Sequence, residues 1–265
     1  MAISFLLLLL SLLSLLDPIL CFKPKSLNYS LSFGWSPAGA TWYGSPNGYG
    51  SDGGACEYGE AVECAPFSSM VAAGGPSLYN SGKGCGACYQ VKCSNNAACS
   101  NHPVMVVITD ECPGGPCVAQ PYHFDLSGTA FGAMAISGRA NELRNAGAIQ
   151  IQFIRVPCNY YGVNIVFHVD PGANPYYFAV VAEYVAGDGD LGAVELLPSW
   201  ARAKWQAMQN LNGAVWKLNW ASPLQPPFSL RLTTLATGKT LTAINVIPQG
   251  WKPGTSYKSS VNYIN

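Results

Sequence analysis

The chain has 265 residues, 49% of them hydrophobic and only 11% charged, with 14 Lys and Arg balancing 14 Asp and Glu. That balance excludes a protein built to neutralise nucleic-acid phosphates, which requires a basic excess. Low charge combined with 28 Gly, 19 Pro and 12% aromatic residues describes a turn-rich, packed chain and not a disordered one.

The first element is the apolar run Phe5 to Leu16, FLLLLLSLLSLL. It falls short of the ~20 residues that span a bilayer and fits the core of a signal peptide. Segment 1–21 is therefore expected to be removed on secretion, the cleavage position being approximate; an uncleaved anchor is the alternative. Within the extension 22–37, Asn28-Tyr29-Ser30 is a glycosylation acceptor. Nine cysteines follow (Cys56, Cys64, Cys85, Cys88, Cys93, Cys99, Cys112, Cys117 and Cys158), all before residue 160. Cys85-Gly-Ala-Cys88 with Cys93 and Cys99 is a candidate zinc knuckle, but irregular spacing and an oxidising compartment favour disulfides. An odd number leaves one thiol over.

From 38 to 157 short apolar runs alternate with Gly-rich turns. Tyr89 to Cys93 alternates with period two, Val104 to Ile108 is continuously apolar, and Ile149 to Val156 begins in alternation. Helix is scarce: Ser127 caps a short one through Met134, and Arg139 to Arg144 forms another. This pattern predicts a compact β-barrel stapled by disulfides. Residues 158–163 read as a linker and hinge. In 164–263, strands are expected at Val163 to Val169, Tyr177 to Val185, Ala193 to Leu197, Ala214 to Trp220, Phe228 to Leu235 and Thr240 to Ile247, with Ser199 to Met208 ambiguous. Such spacing predicts an immunoglobulin-like β-sandwich.

Among chemistry-bearing residues, Asp110 ends the most apolar strand, and Asp125 sits in His123-Phe124-Asp125 before a helix. Asp125 reads either as a helix cap or as a general acid whose pKa is raised in an apolar cleft. Asp52 suits an Asx-turn. No G-x-S-x-G nucleophile elbow occurs, three His are too few for a metal centre in one domain, and Gly187-Asp188-Gly189-Asp190 lacks the later Glu of a calcium loop. Paired aromatics (Trp42-Tyr43, Tyr176-Tyr177) and four tryptophans in the second half (Trp200, Trp205, Trp216, Trp220) fit either core packing or stacking on sugar rings.

In order, Ala40-Thr41-Trp42-Tyr43-Gly44, Ser51-Asp52-Gly53-Gly54-Ala55-Cys56, Gly84-Cys85-Gly86-Ala87-Cys88-Tyr89, His123-Phe124-Asp125, Arg155-Val156-Pro157-Cys158 and the ending Val246-Ile247-Pro248-Gln249-Gly250-Trp251 resemble a plant expansin. The segments Gly84 to Cys93 and His123 to Ala135 are most similar to the β-expansin branch. The resemblance implies an all-β chain, a six-stranded double-psi β-barrel related to one glycoside hydrolase family, followed by a carbohydrate-binding β-sandwich. It implies disulfides Cys56–Cys85, Cys88–Cys158 and Cys93–Cys99, to which Cys112–Cys117 is added across Pro-Gly-Gly-Pro, leaving Cys64. It also implies a glycan groove of Thr41, Trp42, Tyr43, Asp52, Asp110, His123 and Asp125, with Asp125 in the general-acid position, and Tyr177 as a platform aromatic on the sandwich.

The same resemblance implies a secreted wall protein that loosens contacts between cellulose and xylan or other matrix glycans without cutting them. No cofactor or metal is implied, no nucleic-acid partner, membrane contact only peripherally during secretion, and a monomeric state. Alternatives are a weak endo-acting glycoside hydrolase and a non-catalytic glycan-binding protein. Two departures stand out. Glu57 occupies a position where the family has Gly, and Leu211-Asn212-Gly213-Ala214-Val215-Trp216 carries Asn212 where the family has a platform Trp. If sugar stacking matches the ~1–3 kcal/mol of an aromatic–base stack, Asn212 lowers cellulose affinity by about one to two decades unless Trp200 or Trp205 compensates.

Overall fold

A computed structural model describes residues 34–51, 54–200 and 202–263. The expected signal segment 1–21, Asn28 and Asp52 lie outside the described residues. Six strands form the first half: β1 (Ser36–Tyr43), β2 (Val71–Gly74), β3 (Cys88–Cys93), β4 (Val104–Glu111), β5 (His123–Ser127) and β6 (Ile149–Arg155). They close in the order β1-β5-β2-β4-β3-β6. The pairs β1–β5 and β2–β4 are parallel, and the other four are antiparallel. Closure leaves no strand edge unpaired. The continuous run in β4 is explained by burial, since Val106, Val107 and Ile108 are all in the core. Before the helix Gly128–Ala133, Ser127 Oγ accepts from the Ala130 amide at 3.0 Å. Ser127, not Asp125, is therefore the cap.

The second half has β7 (Val166–Val169), β8 (Tyr177–Glu183), β9 (Leu191–Leu197), β10 (Gln206–Ala207), β11 (Gln209–Asn212), β12 (Val215–Asn219), β13 (Phe228–Thr234), β14 (Thr240–Ile247) and β15 (Ser256–Lys258). They form a four-stranded sheet, β10-β9-β13-β14, facing a five-stranded one, β11-β12-β8-β7-β15. Phe167, Phe178, Leu196, Phe228, Leu230 and Ile247 are fully buried between them. Within the ambiguous stretch 199–208, Gln206 and Ala207 form β10, because Leu196 and Glu195 of β9 offer a ladder.

Barrel and sandwich share a seam. Along β8, Phe178, Val180 and Ala182 belong to the sandwich core, whereas Ala179 and Val181 pack into the core of the barrel. Successive side chains point to opposite faces, so one strand serves two cores. Phe67 of the barrel packs its ring against Tyr58, Tyr160 and Tyr184 at 4.8–5.9 Å. Arg155 at the end of β6 pairs with the fully buried Asp190 at 2.8 Å. Segment 158–163, expected as a linker and hinge, is anchored at Cys158 and Tyr160. Cys158 is bonded to Cys88 and exchanges backbone hydrogen bonds with Gly187, and Tyr160 is buried. Glycine permits this approach. A Cβ on Gly213, which has φ +50°, would sit 2.2 Å from the Ala55 carbonyl, and one on Gly189 2.2 Å from that of Gly86.

The other disulfides are Cys56–Cys85, Cys93–Cys99 and Cys112–Cys117. Cys64 is an exposed free thiol. No helix among the described residues is long and apolar enough to cross a membrane.

Candidate glycan groove and the family

The parallel pairing of β1 with β5 sets Thr41 beside Asp125. Thr41 Oγ1 donates to Asp125 Oδ1 at 2.6 Å and lies 2.9 Å from His123 Nε2. A hydroxyl has one proton. While Asp125 is ionised, Thr41 spends it on the carboxylate and must accept from His123 Nε2–H, which leaves Nδ1 as a bare, buried lone pair without a partner. Burial raises the Asp125 carboxyl above its ordinary value, against the lowering effects of the Thr41 hydrogen bond and of His123. Burial also lowers His123, although Asp125 opposes it. Both groups are thus pushed toward their neutral forms.

A second cluster is built on Asp110. Its carboxylate accepts from Ser51 Oγ at 2.7 Å, from the Ala55 amide at 2.6 Å and from the Glu111 amide at 2.8 Å, with Tyr43 Oη at 3.4 Å. Tyr43 stands in the fields of both carboxylates. Burial, then Asp110, push its phenol well above the ordinary tyrosine range, with a smaller push from Asp125. The tyrosine is neutral and remains a proton donor at any physiological pH.

Glycines make the floor. A Cβ on Gly39 would lie 2.6 Å from His123 Nδ1, on Gly54 2.6 Å from Asp110 Cγ, and on Gly50 2.4 Å from Tyr43 Cζ. Sequence reasoning missed these three positions, together with Ser51 and the Ala55 amide, although the Gly-rich run from Gly44 to Gly54 carried the signal. Trp42 is set apart from this polar cluster. Alternation along β1 turns it away from Thr41 and Tyr43; its Nε1 donates to the Arg144 carbonyl at 3.0 Å and its ring packs on the barrel core. None of the polar contacts of the cluster involves it.

On the sandwich, Tyr177 is half-buried at the start of β8, on the face that meets the barrel. Asn212 lies on the same face, since Val215 pairs with both Asn212 and Val181. The two are four residues apart along the ladder, about 13 Å. Asn212 Nδ2 donates to Glu57 Oε1 at 3.4 Å, so the two departures from the expansin pattern meet each other. Glu57 has φ +64°, a conformation that favours Gly. Trp200 and Trp220 pack together, centroids 6.2 Å apart, against the sandwich core. Trp205 immediately precedes β10 and lies against Arg231 of the other sheet.

Comparison with known proteins agrees with this geometry. Residues 71–153 match the family model described as lytic transglycolase, and 165–248 the expansin C-terminal domain. Expansin-B11 of Oryza sativa is 59% identical over 90% of this chain and 81% of its own length. Expansin-B4 of Arabidopsis thaliana is 55% identical over 87% of this chain and 88% of its own. The chain belongs to the expansin family. As an expansin it is a cell-wall-loosening protein. Its fold is also that of a Clavibacter michiganensis expansin, for which one structure is ligand-free and another, of a variant, holds cellohexaose. The ligand-free structure superposes with a TM-score of 0.65 at 21% identity, covering 88% of this chain and 99% of that one.

Proposed function

We propose that this expansin is secreted to the wall and loosens it without hydrolysis, gripping a β-linked glucan in the barrel groove through Asp125, Thr41, Tyr43 and Asp110, with the buried His123 supporting Thr41 from beneath. Tyr177 extends the contact onto the sandwich. The cellohexaose held by the bacterial expansin supports the choice of ligand class.

The observation that carries the reading is the inequality of the two carboxylates. Glycosidases need an acid and a separate base that activates water. Asp125 has the environment of an acid, its proton retained by burial. Asp110 already accepts four hydrogen bonds, which occupy its lone pairs and leave none directed at an attacking water. An acid without a base donates to a glycan oxygen and competes with interchain hydrogen bonds, but does not drive attack by water. Because the carboxyl is raised, the donor form grows as pH falls through the range above its ordinary value of 3.8, and loosening should rise with it.

The test is creep of heat-inactivated wall strips under constant load. Wild-type protein should extend them promptly, and Asp125→Asn should abolish extension at unchanged thermal stability. A fully active Asp125→Asn overturns the role of Asp125. Catalytic release of reducing ends from soluble glucan, lost in the same variant, would replace loosening by hydrolysis.

A further inference from the structure

The four-stranded sheet has an outer face that the groove and Tyr177 do not use. Across it runs one rung of paired residues: Ala207 opposite Glu195, Glu195 opposite Arg231, and Arg231 opposite Thr242. Their neighbours Leu196, Leu230 and Leu232 are buried in the sandwich core, so by alternation the rung points outward. Arg231 and Glu195 form a two-pronged pair, Nε to Oε2 at 2.6 Å and Nη2 to Oε1 at 2.7 Å. The guanidinium lies over the Trp205 ring at 4.5 Å from its centroid.

Trp205 is unusual among the tryptophans of this sandwich. Trp200, Trp216, Trp220 and Trp251 all pack in or against the hydrophobic core, whereas Trp205 does not. The core-packing explanation of a buried indole therefore fails for it. A partly buried ring lying under a guanidinium, beside a fixed carboxylate, is pre-organised for a ligand with one apolar face and vicinal polar groups. Charge narrows the class. Guanidinium and carboxylate cancel, and Ala207 and Thr242 add none, so neither a phosphate nor a polycation is favoured. An uncharged pyranose chain fits: its C–H face stacks on the indole, and adjacent hydroxyls meet the Glu195 oxygens and Arg231 Nη1, which has no hydrogen-bond partner among the described residues.

We propose that this face is a second polysaccharide contact, made by Trp205, Arg231 and Glu195 with a neutral β-linked glycan chain. It is separate from the groove and lies on the opposite sheet from Tyr177. The molecule would then hold two wall chains at once.

The experiment is footprinting of the folded full-length protein. N-bromosuccinimide oxidises accessible indoles, and peptide mass spectrometry reads each one. With cellohexaose or xylohexaose at saturating concentration, Trp205 oxidation should slow at least threefold in wild type and equally in Tyr177→Ala and Asp125→Asn, which separates this site from the groove. Trp205→Ala should lower retention on insoluble glucan about tenfold, and Tyr177→Ala should add to that loss multiplicatively, as independent sites do. Equal oxidation of Trp205 with and without both oligosaccharides overturns the proposal. So does protection that tracks self-association in sedimentation and ignores glycan, because the occupant is then a second copy of the chain.

Discussion

The barrel and the sandwich are both all-β and both closed around an apolar interior, yet they are held by different means. Four disulfides lie within the barrel or at its exit, and none lies in the sandwich. The sandwich relies on continuous packing of large side chains, Phe167, Phe178 and Phe228 among them. The barrel also carries a groove floored by glycine against Asp110, His123 and Tyr43, which removes side-chain mass from that face. The barrel thus joins an apolar interior to a glycine-floored polar groove and four covalent bridges, and the sandwich stands on packing alone.

Reduction should break this symmetry most visibly. Each bridge contributes about 2–4 kcal/mol, all of it to the barrel. Calorimetry should show one transition for oxidised protein and two after reduction, the barrel first; a single undivided transition under reducing conditions would erase the contrast. Next in size is the seam. Arg155→Met leaves Asp190 buried without its partner and should cost about 3–5 kcal/mol in denaturant melts, with both halves losing stability together.

Acidity gives a third test. Burial alone pushes the Glu183 carboxyl up to about 7 from an ordinary 4.5. Below pH 4.5 both folded and unfolded chains hold the proton; between 4.5 and 7 the folded chain alone holds it, so stability falls as pH rises through that window. The loss should total about 3 kcal/mol and vanish in Glu183→Gln. A pH-independent wild type would remove Glu183 from the seam's energetics. Smallest is Glu57→Gly, which relieves a left-handed residue worth ~1–2 kcal/mol, less the entropy that Gly adds to the unfolded chain. A net gain under about 1 kcal/mol is expected, with the exposed Asn212 contact contributing little.

The sequence is most legible where one physical rule dominates. Alternation and continuous apolar runs locate β3, β4 and β6, and a serine before a small apolar stretch locates the capped helix at 128–133. Residues 158–163 read as a hinge because Pro-Cys-Asn-Tyr-Tyr-Gly has the composition of a loop. Nothing local reveals that Cys158 is bonded to a strand 70 residues earlier. Adjacency to Thr41 and Tyr43 suggests that Trp42 belongs to the groove, although strand alternation sends it the other way. The Thr41–His123 contact joins residues 82 apart and depends on a parallel register that no pattern within β1 or β5 specifies.

Strand β8, with its two faces in two cores, also has a mechanical meaning. In a chain of independent domains, load on one end stretches a linker before it reaches the other domain. Here Cys158 and Tyr160 anchor the connection between Arg155 and Val166, and Ala179 and Val181 of the sandwich pack into the barrel core. Tension carried by a polymer bound to the sandwich would therefore be felt at the groove as torque. The protein would then behave as a stiff lever between its glycan contacts, not as a tether.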